Sequence, residues 1–339
     1  MQLYLNTRGT YLHVKDNLFE IKIPDEKGGS VKKQLAVHKV KTIVMTTSAA
    51  LSTDAIQLAL KNNIDIVLSD YHGFPMGRIW HSKLGSTTKI RKQQLVASMG
   101  KLGVQHTVDW LTQKLDNQLD FIKQLKKHRT QHAVFLDDKI NRIDALRSSM
   151  TEAYAAEQVS EVADMLRGLE GTAGRLYFAT LSYVLPKEYQ FKGRSSRPAE
   201  DNFNAFLNYA YGVLYSRVEK ALIIAGLDPY VGFLHRDGYN YKSLVYDFIE
   251  PYRTHCERVV FKLFSGKKVN RKHCDALANG MKLNKEGKVL LLEQLIKYLD
   301  EERVRHRGRN QTRGNILQLD AHQFANILLQ STEQKNEKL

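Results

Sequence analysis

Within the first 84 residues, the stretch from Tyr11 to Ile23 carries hydrophobic side chains at alternate positions, which is the period of a β-strand with one buried face. This alternation runs on both sides of Asp16 and Asn17, which favour a tight turn, and its hydrophobic members are Leu12, Val14, Phe19, Ile21 and Ile23. The pattern predicts a β-hairpin. Two short hydrophobic runs, 42–46 and 64–68, predict further buried strands, and Ser52 is a suitable N-cap for a short helix between them. How these strands pair does not follow from the pattern.

Beyond residue 90 the hydrophobic positions change to the period of an α-helix. One Lys-rich stretch places hydrophobic residues along a single helical face, at Leu111, Leu115, Leu119, Ile122 and Leu125. We therefore predict a multidomain α and β protein, in which a small N-terminal β-rich domain is followed by a larger all-α domain. The expected limits are 1–84 for the β-rich domain, 85–90 for a linker, 91–330 for the α domain and 331–339 for a frayed tail.

The charge of the chain points to a polyanionic partner. Lys and Arg number 51 against 36 acidic residues, so the formal net charge is +15. Such an excess attracts nucleic acid through counterion release. The basic residues are clustered within 89–92, 126–129, 267–272 and 303–313. Solvated helix faces are the alternative explanation for each cluster taken singly, but their recurrence favours a long anionic partner.

The sequence also indicates where the protein resides. No hydrophobic run is long enough to span a bilayer, and the N-terminus lacks the basic and apolar regions of a secretory signal, so no membrane association is expected. The two cysteines, Cys256 and Cys274, are too few for a disulfide framework. The expected compartment is therefore the cytoplasm.

One polar stretch interrupts the helical region between residues 228 and 253. His235 ends a hydrophobic segment, and the helix predicted from about Ser243 places Asp247, Glu250 and Arg253 at intervals of three, roughly on one face. Pro251 is expected to kink that helix, because its ring crowds the carbonyl of the preceding turn. Acidic residues at this spacing often form a solvated face, but the hydrophobic neighbours indicate a buried helix.

Two further stretches are candidates for a site. Glu170 lies among three glycines in an otherwise helical context, which suits either close approach of a backbone or phosphate or tight packing between helices. Arg194 and Arg197 precede a helix rich in Asn and Tyr that begins near residue 202. Arginine and amide side chains suit phosphate contacts, whereas helix capping and polar contacts in the core are the alternative.

Taken together, these stretches resemble a known family, the CRISPR-associated endonuclease one family. The resemblance rests on four motifs that occur in the family's order: Leu-Glu-Gly-x-Ala around Glu170, Asn-Ala-x-x-Asn-Tyr-x-Tyr from Asn204, Gly-Phe-Leu-His ending at His235, and Ser-Leu-Val-Tyr-Asp-Phe-Ile-Glu-Pro-Tyr-Arg from Ser243 to Arg253. It covers the whole chain and implies a β domain followed by an α domain that bears the site.

The resemblance implies that Glu170, His235 and Glu250 are both the catalytic residues and the ligands of one divalent metal. Asp247 matches a second acidic position near the site. Two carboxylates and one imidazole without a thiolate suit Mg²⁺ or Mn²⁺ better than zinc. Nearby side chains are expected to hold phosphates of the nucleic acid or to orient groups; they are Arg197, Lys242, Arg253 and Tyr177.

The implied activity is that of a metal-dependent DNA endonuclease and integrase. It inserts new spacers into a CRISPR array when a DNA 3′-hydroxyl attacks repeat DNA, in defence against foreign DNA. The expected partners are double-stranded DNA, a second copy in a homodimer joined through the β domains, and a small ferredoxin-like CRISPR adaptation protein in a heterohexameric integration complex.

Other hypotheses remain open at this point. A non-catalytic helical protein that binds nucleic acid would use its acidic residues only for packing. A general nuclease acting on RNA or branched DNA would keep the same metal site. A zinc site formed by the His-Cys pairs 255–256 and 273–274 matches no standard spacing and is not expected.

Overall fold

The computed structural model describes residues 1–25, 29–70, 73–80, 87–196, 198–235 and 241–336. The chain divides into two compact units, residues 1–84 and 85–339. The first unit is β-rich and the second is mainly helical, as the hydrophobic pattern predicts. Within the described residues, no helix is both long enough and apolar enough to cross a membrane.

In its described residues the first unit contains two four-stranded sheets and one α-helix. Its elements are β1 Gln2–Leu5, β2 Tyr11–Lys15, β3 Leu18–Pro24, β4 Ser30–Leu35, β5 Thr42–Met45, β6 Ala50–Leu51, α1 Thr53–Lys61, β7 Asp65–Ser69 and β8 Pro75–Ile79. One sheet has the order β1-β5-β7-β8 and the other β4-β3-β2-β6. The predicted hairpin is confirmed, because β2 and β3 pair antiparallel around Asp16 and Asn17, both with positive φ. The predicted N-cap is also confirmed, since the Ser52 side chain accepts a hydrogen bond from the Ala55 backbone N–H.

The second unit is built around two long, largely buried helices. Its elements are α2 Thr87–Ser98, α3 Lys101–Lys127, α4 Ala133–Met150, α5 Val159–Tyr183, α6 Asn202–Ile224, α7 Ser243–Phe248, α8 Arg253–Ser265, β9 Cys274–Leu277, β10 Gly280–Leu283, α9 Lys285–Ile296, β11 Arg303–His306, β12 Arg309–Thr312 and α10 Arg313–Asn336. The predicted hydrophobic face of α3 is buried throughout, and α3 packs against α4, α5 and α8. Helix α6 is buried along most of its length.

The structure adds to the predicted all-α domain and corrects it locally. Two antiparallel hairpins, β9–β10 and β11–β12, interrupt the helices. The expected kinked helix at Pro251 is instead two helices, α7 and α8, joined by a 3₁₀ turn over Glu250–Tyr252. Proline fits at the start of that turn because its missing N–H has no partner there. At the C-terminus α10 continues to Asn336 and not to position 330. Residues 87–90 of the predicted linker already belong to α2, whereas residues 85 and 86 and the tail from 337 lie outside the described residues.

Candidate active site

Two glutamates from separate elements meet at one lysine. Glu170 lies on α5, Glu250 starts the 3₁₀ turn after α7, and Lys114 reaches both from α3. The Lys114 Nζ atom is 2.5 Å from Glu170 Oε1 and 2.6 Å from Glu250 Oε2. Lys114 and Glu250 are buried, at 8% and 3% exposure, whereas the Glu170 side chain is 22% exposed. The packing of α3 against α5 and the turn thus creates a shared cation site.

Arg253 completes the charge balance around Glu250. Its Nε and Nη2 atoms both lie 2.8 Å from Glu250 Oε1, and its guanidinium stacks on the ring of Tyr211. Burial alone raises the pKa of Glu250, but the charges of Arg253 and Lys114 together bring it down to about 2. Burial opposes the charge on Lys114, yet Glu170 and Glu250 raise its pKa above the ordinary value. The glutamate is therefore a buried carboxylate that remains charged.

His235 lies in the loop before α7 and is fixed by Asp247. The Asp247 carboxylate lies 2.6 Å from His235 Nδ1 and also accepts hydrogen bonds from the backbone N–H groups of Phe233, Leu234 and His235, at 2.6, 3.2 and 3.1 Å. Burial alone lowers the pKa of His235, but Asp247, with smaller effects of Glu250 and Glu170, raises it above the ordinary value. With Nδ1 engaged in this way, Nε2 is the ring nitrogen left to bind a ligand.

The loop that ends at His235 is held along its length. The buried Gln94 side chain donates hydrogen bonds to the carbonyls of Asp228 and Val231, at 2.8 and 2.7 Å. Arg167 donates one to the carbonyl of Leu234. At Gly232 a Cβ atom would lie only 2.4 Å from that of Ser243, so no larger residue fits between this loop and α7. His235 is therefore presented by a loop with little freedom to move.

A cleft of about 350 Å³ opens beside this loop. It lies between the end of α2, the first turns of α5 and the His235 loop, and its lining residues include Met99, Val159, Arg167, Phe233, Leu234 and His235. The cleft therefore leaves the His235 imidazole accessible to a ligand.

The point where a divalent cation would sit between the two glutamates is taken by the ammonium of Lys114. Among the described residues no three His, Cys, Asp or Glu side chains are grouped as a metal site. Instead, the oxygens of Glu170 and Glu250 already converge on one cation, the Lys114 ammonium. Glu250 Oε2 accepts no hydrogen bond there despite its burial. Carboxylates and an imidazole are donor types that suit Mg²⁺ or Mn²⁺.

The other predicted site residues occupy different environments. Tyr177 is fully buried beside Glu257, so its position does not support contact with nucleic acid. Lys242 is paired with Glu219 at 2.5 Å, and Arg253 faces Glu250. Both cations therefore face acidic side chains of the same unit. Arg197 lies outside the described residues.

The structure also decides between the alternatives left by the sequence. A Cβ atom at Gly168 or Gly174 would meet no described atom within 4 Å outside its own helix, so these two glycines do not serve tight packing against another described helix. Asn204 and Asn208 are buried and donate to the carbonyls of Gly193 and Ser196, as in the capping and core alternative.

Sequence reasoning missed Lys114, although a signal was present. Lys114 follows Leu111 by three residues and therefore falls on the hydrophobic face of α3. A lysine on a core-facing stripe is seldom fully buried unless it is paired. Its position thus called for an acidic partner, but the helical pattern does not say which one.

Comparison with known proteins agrees with this architecture. The family model described as "CRISPR associated protein Cas1" matches residues 3–297. CRISPR-associated endonuclease Cas1 1 of Archaeoglobus fulgidus is 34% identical over 339 residues, covering 97% of this chain and 96% of the relative.

Two solved structures share the fold. A casposase bound to an integration product has a TM-score of 0.80 at 21% identity, covering 97% of this chain and 91% of its own. A Cas1 protein from Thermotoga maritima has a TM-score of 0.78 at 22% identity, covering 97% of both chains. The family match and the archaeal relative, each spanning most of the sequence, show that this chain belongs to the Cas1 family of CRISPR-associated proteins.

Proposed function

We propose that this protein is a metal-dependent DNA endonuclease and integrase that inserts new spacers into a CRISPR array. The observation that carries the proposal is the meeting of Glu170 and Glu250 at one cation, with His235 held by Asp247 beside a cleft. Membership of the Cas1 family supports the same activity, as does the name of the Archaeoglobus relative.

In this proposal Glu170, Glu250 and the Nε2 atom of His235 hold one Mg²⁺ or Mn²⁺. When bound, the ion supplies polarisation of a phosphoryl oxygen and stabilisation of the charge that develops during displacement. Arg253 keeps Glu250 charged and fixes its orientation from the side of Oε1. Asp247 keeps Nδ1 of His235 engaged, so the imidazole is held in one orientation.

The proposed reaction exchanges one phosphodiester for another. The 3′-hydroxyl oxygen of the incoming DNA attacks a phosphorus of the repeat strand, and a P–O bond forms while the bond to the neighbouring 3′-oxygen breaks. The released 3′-oxygen takes up a proton, so no phosphodiester is lost. With water as the nucleophile, the same arrangement would hydrolyse DNA.

The cleft beside His235 and the lack of close contacts at Gly168 and Gly174 among the described residues support the approach of a DNA strand to this centre. From family membership we also propose a homodimer joined through the β-rich units, and assembly with a small ferredoxin-like adaptation protein into a heterohexamer. This organisation would place two such centres at the two ends of one DNA fragment.

The test is strand transfer with and without the attacking group. Short duplexes ending in a 3′-hydroxyl, or in a 3′-dideoxy nucleotide as the matched control, are incubated with a CRISPR-array plasmid, Mn²⁺ or Mg²⁺ and the partner protein. Joined products are expected only from the 3′-hydroxyl duplex and only without chelator. Plasmid cleavage without joining would support the endonuclease activity and contradict the integrase activity. No reaction with either duplex would contradict the whole proposal.

The β11–β12 hairpin is the surface that we assign to the DNA backbone. Arg303 and Arg305 are exposed on one face of it and Arg309 on the other, and within the described part of the chain these arginines pair with no acidic side chain. Arg307 at the tip pairs with Asp320, which also accepts a hydrogen bond from Tyr252, two residues after Glu250. Other basic clusters are partly neutralised, as Lys126 is by Asp137. The hairpin thus presents positive charge close to the site.

Replacing Arg303, Arg305 and Arg309 by Ser is expected to weaken duplex binding and to reduce its salt dependence. Each lost phosphate contact removes about 0.9 from the slope of log K against log salt, so the slope should fall by about 2 to 3. Fluorescence anisotropy at several salt concentrations measures this. The matched control replaces three acid-paired cations, Lys126, Lys139 and Arg142, and an equal loss of slope in that control would contradict the assignment.

A further inference from the structure

We infer that Lys114 is a built-in competitor of the catalytic metal, an ammonium that holds Glu170 and Glu250 together and must withdraw before a divalent cation binds them. The inference rests on the proposed metal site and adds a residue that neither the motifs nor the family resemblance indicated. Lys114 would act as a positioning residue, since it shapes the site in the metal-free protein and sets the affinity for the metal.

The geometry places the ammonium at the point that a shared ion would need. One nitrogen lies 2.5 Å from Glu170 and 2.6 Å from Glu250, so both carboxylates already direct an oxygen at a single positive centre. Without that charge, two carboxylates facing each other in a mostly buried site would repel. Lys114 therefore provides in the metal-free protein the neutralisation that a bound cation would otherwise provide.

The two cations at Glu250 are not equivalent. Arg253 binds Oε1 through two nitrogens and stacks on Tyr211, which fixes it in place. Lys114 faces Oε2 through a single nitrogen, at 2.6 Å. A lysine is a point charge on a flexible four-carbon stem, so it can withdraw more readily than a stacked guanidinium. Oε2 is therefore the oxygen that can change its partner.

Withdrawal of the Lys114 ammonium requires movement of its side chain only, because packing holds the backbone of α3 in place. Leu111 and Leu115 on the same face of α3 are buried in the core, which keeps the helix in position whether or not the ammonium contacts the carboxylates. Glu170 is supported by the long helix α5, and Asn117 donates a hydrogen bond of 2.7 Å to the carbonyl of Pro251 in the turn that carries Glu250. The carboxylates thus stay close together when the lysine leaves.

A purely structural role for Lys114 predicts the opposite result. If Lys114 only maintained the fold of the site, its removal would separate the carboxylates and weaken metal binding. If Lys114 competes with the metal, Lys114→Met leaves the carboxylates without their cation, and metal binding becomes tighter. The direction of the change in affinity therefore distinguishes the two roles.

The experiment measures Mn²⁺ binding to the full-length protein without DNA, from the electron paramagnetic resonance signal of free Mn²⁺. Lys114→Met is expected to lower the Kd at least about tenfold, because the metal no longer has to break a buried ion pair. Lys114→Arg, which retains the charge, should bind no more tightly than wild type. Lys126→Met, a matched change on the same helix at an exposed ion pair, should stay within about twofold.

Thermal unfolding followed by circular dichroism checks the fold of each variant. Metal-free Lys114→Met should melt below wild type, and Mn²⁺ should raise its Tm by more than it raises that of wild type. An unchanged or higher Kd in a folded Lys114→Met protein overturns the inference, and so does a failure of Mn²⁺ to restore an unfolded variant. If the Glu170→Gln variant binds Mn²⁺ with the same Kd as wild type, the proposed metal site itself is wrong.

Discussion

Glu250→Gln is expected to lower the rate of metal-dependent strand transfer by about a thousandfold or more. The amide keeps the shape of the side chain and can still accept a hydrogen bond from Arg253, but it removes the negative charge that a divalent ion requires. Lys114 also loses one of its two partners, although Glu170 remains within 2.5 Å. The measurement is the initial rate of product joining with saturating DNA and Mn²⁺.

Glu257→Gln is the matched control for this change. Glu257 is also a buried glutamate and lies on the helix that follows the turn, where its Oε1 accepts a hydrogen bond of 2.6 Å from Tyr211. Burial raises the pKa of Glu257, so an amide resembles its protonated form. The control should retain activity within about threefold of wild type. A Glu250→Gln variant as active as this control would exclude Glu250 as a metal ligand.

Asp247→Asn is expected to lower strand transfer by about 10- to 100-fold and to destabilise the protein, without abolishing metal binding. The carboxylate accepts from three backbone N–H groups and from the imidazole. An amide has a single acceptor oxygen, so buried donors lose their partners at a cost of about 1–3 kcal/mol each. A loss of this size lowers Tm by several degrees in a domain of roughly this length.

Two results would contradict this role of Asp247. If Asp247 itself binds the metal, Asp247→Asn should abolish Mn²⁺ binding in the same way as Glu170→Gln. If it only packs, activity should follow stability and recover when the assay temperature is lowered. Retained but weakened Mn²⁺ binding, with reduced activity at every temperature at which the protein is folded, supports the proposed role in orienting His235.

The same variant makes a prediction for pH dependence. In the wild type the pKa of His235 is raised despite burial, because Asp247 favours the charged imidazolium. A raised pKa in the folded state contributes stability that is fully present below the unfolded value of about 6.5 and is lost as the pH rises through the folded value. The Tm advantage of the metal-free wild type over Asp247→Asn should therefore shrink as the pH increases from about 6. A nuclear magnetic resonance titration of His235 should give a lower pKa in the variant.

The sequence by itself predicted most of the elements and named the candidate site residues. Alternation around Asp16 and Asn17 predicted the β2–β3 hairpin, and the stripe from Leu111 to Leu125 predicted the buried face of α3, because both patterns are local and repeat with the period of the backbone. Glu170, His235 and Glu250 were named as candidate site residues because the four motifs resemble those of a family. Local periodicity alone does not single these residues out. Periodicity could not decide whether Asp247 and Glu250 belong to a functional site or to a solvated helix face.

Only the tertiary structure decided which groups meet. Lys114 lies 56 residues before Glu170, and its role follows from the packing of α3 against α5 and the turn, which no local pattern encodes. The tertiary structure also buries Tyr177 and places Asp247 against His235. Neither follows from the sequence, because burial and pairing depend on elements that are distant along the chain. The short hairpins were missed for a related reason. Their strands of four residues are too short to give a clear period of two, and they form where neighbouring helices end.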